Sequence, residues 1–409
     1  MITNVFSREA LSNLASPSTQ TMRPFDPWLL LATGSLLCIG LVMISSASMD
    51  VALNDYGNAY FFMVRHTIYV LLGCSLALFV WFIPLSFWQR TGPHWLGFAF
   101  ILLLLVLVPG IGKEVKGSSR WIALGPINLQ ASEVAKFAMV VYVAGYLVRR
   151  LEEVRTTWAG VAKPALPLAV FLVLLLLEPD FGASVVMVSA VMAMVFLGGM
   201  RMSQFILCVS GVFSALFVIL RLESYRMDRL KAFLDPWKDP FGDGYQVVQA
   251  QIAFGRGDIF GVGLGNSIQK LFYLPEAHTD FVLSVLAEEF GLMGVSIVVA
   301  LYLVLILRTF MIGRRAEKIG SFFTAYMCYG IATLLATQTL INIGVNAGAL
   351  PTKGLTLPFI SYGGSSMLMC CVMVAVVLRA DYETKRKQAL LVPQKTSRQT
   401  DLPVNKGGK

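Results

Sequence analysis

The sequence predicts an all-α integral membrane protein with about ten transmembrane helices and a large external loop between spans 7 and 8. The 409 residues are 56% hydrophobic and 14% charged, whereas a soluble globular domain carries about 25% charged residues. The apolar residues also cluster into blocks of about 20, the length of helix that crosses a hydrocarbon core of about 30 Å. These two observations exclude a soluble fold.

Ten apolar blocks are long enough to be membrane spans. They lack the period-2 alternation of barrel strands, and a segment in lipid must satisfy its own backbone hydrogen bonds, so helices are predicted. The predicted spans are Pro27–Ser46, His66–Ile83, Trp95–Ile111, Ala131–Val148, Val161–Leu177, Ala183–Met200, Gln204–Leu220, Gly291–Met311, Ser321–Val345 and Ser365–Leu378.

Basic residues are distributed unevenly between the two sets of connecting loops. The richer set includes Arg149 and Arg314, and cytoplasmic loops carry an excess of such residues, so this set and both termini are predicted to face the cytoplasm. The poorer, outer set comprises Arg65, Lys113, Lys116, Arg120 and Lys353. The predicted organisation is a disordered cytoplasmic tail at residues 1–26, a ten-helix membrane domain at residues 27–380 and a cytoplasmic tail at residues 381–409.

Charge and metal-ligand content argue against two classes of partner. The formal charge of +9 does not indicate a nucleic-acid partner, because the basic residues lie in short loops and the tail. All six cysteines lie in apolar runs, and the chain has three histidines and no paired CxxC motif. No disulfide and no protein-ligated metal site are therefore expected.

The connection at residues 221–279 is far longer than the few residues usual between helices. Apolar residues recur in it at helical spacing, at Tyr245, Val248, Ile252 and Phe254. This pattern predicts an amphipathic helix at the membrane surface within an external loop. A lipid-facing cover without chemistry is the alternative interpretation.

Three groups of charged residues are candidates for chemistry. Lys116 and Arg120 lie on the outer side against the usual bias, which favours an anion site there. Glu133 and Lys136 are three apart on a helix face, which favours an intrahelical ion pair. Lys353 lies in the hydrophobic loop Leu350–Ser366; such non-helical backbone lines a cavity when it enters a membrane, so Lys353 is a candidate cavity cation.

Asp280 lies at the predicted outer mouth of a span, within the segment PEAHTDF. A carboxylate at this boundary can cap the helix, as Thr279 also could, or it can carry out chemistry. The residues themselves leave both interpretations open.

Several stretches together resemble the SEDS family (shape, elongation, division and sporulation). The resemblance extends from about Pro27 to Lys385. It rests on segments that occur in one order, namely KGSSRWI, SEVAK, EPDFG, FLDPWKDPFGDGYQ, FGRGDIFGVGLGNS, PEAHTDFVLSVLAEEFG and PFISYGGSS. PEAHTDF and PTKGLTLP resemble the septal branch more than the elongation branch, while EPD at residues 178–180 stands where Gln-Pro-Asp is common.

The resemblance implies an inverting peptidoglycan glycosyltransferase that polymerises lipid II into glycan strands at the division septum. It implies the bacterial cytoplasmic (inner) membrane as the location. The implied partners are lipid II, a class B penicillin-binding transpeptidase, other division-complex membrane proteins and membrane lipids. A lipid II flippase is the alternative, although no paired discontinuous helices in two related halves are evident, and a non-catalytic scaffold is a third hypothesis.

The resemblance also implies the site. The family's catalytic aspartate falls on Asp280, which would act as the general base. Its substrate-binding positions fall on Lys116, Arg120, Glu133, Arg256, Glu289, Lys353 and Ser361. A lipid pyrophosphate leaves as an anion, so one base with several cations suffices where a glycosidase needs two carboxylates. A divalent cation, Mg²⁺ or Mn²⁺, is the one cofactor that this chemistry leaves open.

Introduced cysteines test the predicted orientation. A cysteine at Ser224 should react with a membrane-impermeant maleimide in intact spheroplasts, because the loop is predicted to be external. A cysteine at Ser397 should react only after permeabilisation, because the C-terminal tail is predicted to be internal. The parent protein, with its native cysteines in apolar runs, is the control, and the reverse labelling pattern would contradict the orientation.

Overall fold

The computed structural model describes residues 25–115, 118–125, 127–222, 233–242, 244–352 and 354–391. The helices of this part of the chain are α1 (Pro27–Tyr56), α2 (Phe61–Phe82), α3 (Leu85–Leu107), α4 (Ala131–Thr156), α5 (Trp158–Leu177), α6 (Phe181–Leu197), α7 (Met202–Leu222), α8 (Tyr245–Gly257), α9 (Val282–Lys318), α10 (Phe322–Asn346) and α11 (Gly364–Leu391). Between α3 and α4 lie three strands, β1 (Gly112–Val115), β2 (Ser118–Leu124) and β3 (Ile127–Gln130).

The helical membrane architecture is confirmed. Within the described residues, eight helices are long and apolar enough to cross a membrane, namely α1 to α5 and α9 to α11. Helix α6 and the Met202–Val212 part of α7 are shorter apolar helices. Each of the ten predicted spans corresponds to one of these helices, with differences at their ends.

Helices α4, α10 and α11 form the centre of the bundle. In the most apolar 18-residue stretch of α4, 89% of the residues are buried. The corresponding value is 28% in α2 and in α3, whose apolar faces remain open to lipid. Close approach at the centre depends on a small residue, because a Cβ atom at Gly330 of α10 would lie 2.5 Å from a methyl group of Val140 and 2.6 Å from the sulfur of Met194. The site described below is built on these central helices.

Asp26 fixes the start of α1 and joins three helices. Its carboxylate accepts hydrogen bonds from the N–H groups of Trp28 and Leu29, both at 3.1 Å, which is the usual role of an aspartate N-cap. Arg308 of α9 also donates to it, and Arg315 of α9 continues the network to Asp381 of α11 at 3.3 Å. Burial raises the pKa of Asp26, but these hydrogen bonds outweigh it and the pKa is lowered.

Helix α9 is interrupted at Gly291, where φ is 65° and ψ is −165°, a conformation open almost exclusively to glycine. The chain before α9 completes the break, since the N–H of Leu292 donates to the carbonyl of Asp258 at 2.9 Å. A Cβ atom at Gly291 would lie 2.5 Å from the carbonyl oxygen of Ile259. The predicted start of this span at Gly291 coincides with the break, and the helical residues from Val282 to Phe290 that precede it were not predicted.

The antiparallel sheet β1–β2–β3 was not predicted from the sequence. Its strands have seven residues or fewer, and the pairing of Trp121 with Gln130 and of Ile122 with Leu129 leaves no signal in the hydropathy pattern. The sheet docks on the start of α11, where Ser365 Oγ accepts from the N–H of Gln130 at 2.9 Å and donates to the carbonyl of Asn128 at 2.7 Å.

The helix predicted within residues 221–279 is confirmed as α8. Its buried residues are Val247, Val248, Ala250, Ala253 and Gly257, so one face of the helix is buried. Ile252, four residues after Val248 in the predicted apolar stripe, is exposed, so the buried face coincides with that stripe only in part. Its placement at a membrane surface stays a prediction.

Candidate functional site

A cavity of about 540 Å³ opens at the end of the bundle that carries the small sheet. Its walls come from the start of α2, from β2 and β3, from the segment before α9, from the loop before α11 and from the first turn of α11. The charged and amide side chains among its described lining are Arg65, Arg120, Asn128, Gln130, Gln246, Glu276 and Asp280. Residues far apart in sequence therefore meet in one polar chamber.

Asp280 lines this cavity just before α9. The N-cap residue of α9 is Phe281, which makes no side-chain cap, so neither Thr279 nor Asp280 occupies the capping position. The hydroxyl of Thr279 donates to the carboxylate of Glu276 at 2.7 Å. The interpretation of Thr279 or Asp280 as the helix cap was therefore wrong. The interpretation that Asp280 takes part in chemistry remains.

Asp280 and Arg120 approach the same point, beside Gly354. A Cβ atom at Gly354 would lie 3.4 Å from Oδ2 of Asp280 and 3.9 Å from Nη1 of Arg120. The absence of a side chain at this position leaves a space that both a carboxylate and a guanidinium adjoin. A ligand atom in that space would lie close to a carboxylate oxygen and to a positive charge.

Arg120 reaches from β2 to the turn between α5 and α6. Its Nε donates to the carbonyl of Glu178 at 3.2 Å, and its Nη2 donates to the carbonyl of Pro179 at 2.5 Å. Both acceptors are neutral, so these bonds orient the guanidinium without cancelling its charge.

The Glu178 side chain does not cancel that charge either. Burial and, to a smaller extent, the neighbouring Asp180 raise the pKa of this carboxyl to about 8, although Arg120 opposes the shift. At pH 7 the group is mostly protonated, because its pKa lies above that pH. Neither the two carbonyls nor the Glu178 side chain therefore neutralises Arg120.

Arg65 is a second cavity cation, which the sequence analysis did not select as a site residue. Its guanidinium carbon lies 5.0 Å from the ring centre of Phe61, a cation–π distance. Arg65 belongs to the outer set of basic residues, so its placement against the positive-inside bias marks it in the same way as Lys116 and Arg120. Lys116 and Lys353 themselves lie outside the described residues.

Glu133 and Lys136 form the predicted ion pair, with 2.9 Å between Lys136 Nζ and Glu133 Oε1. Both side chains are buried in the bundle, and neither is among the described cavity-lining residues. Lys136 also donates to Gln338 at 2.9 Å, and Gln338 donates to the carbonyl of Thr356, a cavity residue, at 3.0 Å. Glu133 is thus connected to the cavity through a chain of hydrogen bonds.

The geometry does not bring Arg256 and Glu289 to this cavity. Arg256 pairs with Glu288 at 2.8 Å, and Glu289 pairs with Lys270 at 2.9 Å. Glu289 also accepts from Ser46 of α1 at 2.6 Å. These bonds fasten the segment between α8 and α9 to the bundle, and substrate binding by Arg256 and Glu289 stays a prediction.

Ser361 supports the loop before α11 from inside. Its hydroxyl accepts from the N–H of Leu357 at 2.8 Å, and the side chain is buried. The neighbouring Tyr362 lines the cavity instead. Substrate contact by Ser361 stays a prediction, while its contribution to the loop is visible.

The fold and site define a helical membrane protein with a cavity lined by charged and amide side chains at one end of its bundle. The cell cycle protein family of FtsW, RodA and SpoVE matches residues 27–386. A protein of Pseudomonas fluorescens (strain SBW25) named probable peptidoglycan glycosyltransferase FtsW is 53% identical over 351 residues, 86% of each chain. A protein of Coxiella burnetii with the same name is 50% identical over 88% of this chain and 97% of its own.

Two solved structures have a fold similar to that of this chain. A chain from work on the structural coordination of polymerization and crosslinking by a peptidoglycan synthase complex aligns with a TM-score of 0.72 and 28% identity, over 88% of this chain and 98% of its own. The rod shape determining protein RodA of Thermus thermophilus aligns with a TM-score of 0.65 and 26% identity, over 88% and 98%. The chain belongs to the FtsW, RodA and SpoVE family, and its resemblance to the septal, FtsW-type branch is confirmed.

Replacing Gly354 by alanine tests whether the space beside Asp280 is used. The new methyl group would make ordinary van der Waals contacts, so the fold should be kept, but it would occupy the space that Asp280 and Arg120 adjoin. Turnover should fall by about 10- to 100-fold, because the methyl group would keep the substrate about 1 Å from its productive position. Thermal stability in detergent should be unchanged.

Gly97→Ala on α3 is the matched control, because a Cβ atom there would meet nothing within 4 Å. Full activity of Gly354→Ala would place the reacting groups elsewhere.

Proposed function

We propose that this chain, a peptidoglycan glycosyltransferase of the FtsW type, polymerises lipid II in the cavity with Asp280 as the general base. The observation that carries the proposal is the approach of Asp280 Oδ2 and the Arg120 guanidinium to one point beside Gly354. A base and a cation that adjoin the same small space suit a displacement in which a hydroxyl attacks and an anion leaves.

In the proposed reaction, the carboxylate of Asp280 takes the proton from the 4-hydroxyl of the acceptor sugar. The hydroxyl oxygen forms a bond to the anomeric carbon of the donor as the bond from that carbon to the pyrophosphate breaks. The attack comes from the face opposite the leaving group, so the configuration inverts. The pyrophosphate departs with the electron pair as a stable anion, and no general acid is needed.

Arg65 and Arg120 are the proposed partners of the pyrophosphate. A guanidinium donates to two oxygens of a phosphate at once, which fixes both position and charge. Arg120 suits this role because its existing hydrogen bonds go to neutral carbonyls. Lys116 and Lys353 are proposed as further cations from sequence position alone.

A divalent cation is compatible with this cavity. Mg²⁺ is usually bound by one or two carboxylates together with substrate phosphates rather than by a cage of protein ligands. Glu276 and Asp280 are the carboxylates that the described residues place on the cavity wall. Such an ion would add to the neutralisation of the pyrophosphate, and the roles proposed for Asp280, Arg65 and Arg120 do not depend on it.

The proposed location is the inner membrane at the division septum, with the cavity on the outer face and both termini in the cytoplasm. The basic residues at the opposite end of the bundle, among them Arg308 and Arg315, support this orientation. A class B penicillin-binding transpeptidase is the proposed partner, supported by the similar chain from work on a peptidoglycan synthase complex. Helix α11 continues to Leu391, so the proposed C-terminal tail at residues 381–409 begins as helix.

Asp280→Asn should abolish polymerisation of labelled lipid II by the purified protein assembled with its transpeptidase. Asparagine keeps the shape of the side chain but cannot accept the proton, and loss of a positioned base costs roughly 10²- to 10⁴-fold in rate. The variant should insert, fold and bind the transpeptidase normally.

Asp50→Asn on α1 is the control for this loss of a carboxylate, because Asp50 lies outside the described cavity lining. Glu288→Gln would not serve as a control, because Glu288 belongs to an ion pair with Arg256. Polymerisation by Asp280→Asn at more than about a tenth of the normal rate would remove the base from Asp280. Transport of lipid II across liposomes without polymerisation by the parent complex would favour the flippase hypothesis instead.

A further inference from the structure

Three amide side chains form a polar stripe on the otherwise apolar helix α10. Gln338, Asn342 and Asn346 follow each other at intervals of four residues, which places them on one face of the helix. All three are at least 98% buried. A buried amide in a membrane bundle is costly unless its donors and acceptors are satisfied, so the partners of these residues indicate what the stripe is for.

Asn342 joins the two chain segments on either side of the cavity. Its Nδ2 donates to the backbone carbonyl of Asp280 at 3.0 Å and to the backbone carbonyl of Leu355 at 2.7 Å. Leu355 follows Gly354, the residue beside which the Asp280 carboxylate lies. One amide therefore links the segment that carries Asp280 to the loop that leaves space for its carboxylate.

Asn346 holds the same carbonyl from one turn further along. Its Nδ2 donates to the carbonyl of Asp280 at 2.9 Å, and its Oδ1 accepts from both the N–H and the hydroxyl of Ser284, at 3.0 and 2.8 Å. It also donates to Oδ1 of Asn342 at 3.2 Å. This set of partners fixes the orientation of both amides, because a reversed amide would set oxygen against oxygen.

The carbonyl of Asp280 thus receives two hydrogen bonds from side chains and lies outside any regular helix or strand. Backbone carbonyls in such a segment find no partner within a helix ladder and must be held by other groups. The two asparagines supply those groups, and neither is among the described residues that line the cavity.

We propose that Asn342 and Asn346 are positioning residues, which set the Asp280 carboxylate by holding its backbone carbonyl against α10. The inference rests on the proposed role of Asp280 as general base. The asparagines do not touch the substrate. Their contribution is to keep the carboxylate at a productive distance from the acceptor hydroxyl, since an error of about 1 Å can cost roughly 100-fold in rate.

The test compares substitutions along α10 in the full-length protein assembled with its transpeptidase. Asn342→Leu removes both donors at similar side-chain volume and adds no charge. It should lower kcat for lipid II polymerisation by about 10- to 100-fold with a much smaller change in KM, because no residue of the described cavity lining is replaced. Asn342→Ala, in which a water molecule can enter the space, serves if the leucine variant does not fold.

Thr339→Val is the matched control. Thr339 is equally buried on the same helix, and its hydroxyl has no hydrogen-bond partner within the described structure. The substitution removes a polar atom from α10 without touching the segment of Asp280. It should leave kcat unchanged and gives a reference for the thermal stability of both asparagine variants.

A second measurement separates positioning from general loss of structure. If Asn342 acts through Asp280, the substitution should cause little further loss when added to Asp280→Asn, so the two effects should be non-additive. Independent, additive losses, or unchanged kcat in folded Asn342→Leu and Asn342→Ala, would overturn the inference while leaving the role of Asp280 intact. Normal activity of Asp280→Asn alone would instead overturn the proposed function on which the inference rests.

Discussion

The site depends on one constraint, which is that backbone groups outside helices must find their hydrogen-bond partners within the protein when a bundle lies in a membrane. The segment before α9 and the loop before α11 both have such backbone, and amides of α10 satisfy part of it. The same bonds that offset this cost also bring Asp280 next to Gly354. Stability of the irregular segments and geometry of the cavity are therefore linked through one helix.

The charged residues fall into two groups, which differ in the partners of their side chains. Glu133, Glu288 and Glu289 are buried and each is paired with a lysine or arginine, as buried carboxylates require when they remain charged. These pairs join elements of the scaffold. Arg120 instead bonds to neutral carbonyls beside a carboxyl of raised pKa, so neither of these neighbours neutralises it. The hydrogen-bond and ion-pair partners of a charged residue, more than its charge alone, distinguish the residues of the scaffold from those of the candidate site.

Hydropathy was sufficient to predict the helical membrane class and the ten apolar segments, because each signal lies within one stretch of chain. Asp280 and Arg120 were found by family resemblance and by charge placement, and the structure brings both to the cavity. The small sheet was missed because short paired strands carry little local signal. The stripe on α10 was missed because its partners lie far off in sequence: Asn342 and Asp280 are 62 residues apart, and an asparagine within an apolar run does not reveal which carbonyl it binds.

The most direct test of the account is a structure of the Asp280→Asn protein with its transpeptidase and bound lipid II. The account predicts that the pyrophosphate lies against Arg65 and Arg120, with an acceptor hydroxyl beside residue 280 and the sugars in the space next to Gly354. Substrate bound along a different groove, with the cavity filled by solvent alone, would contradict it.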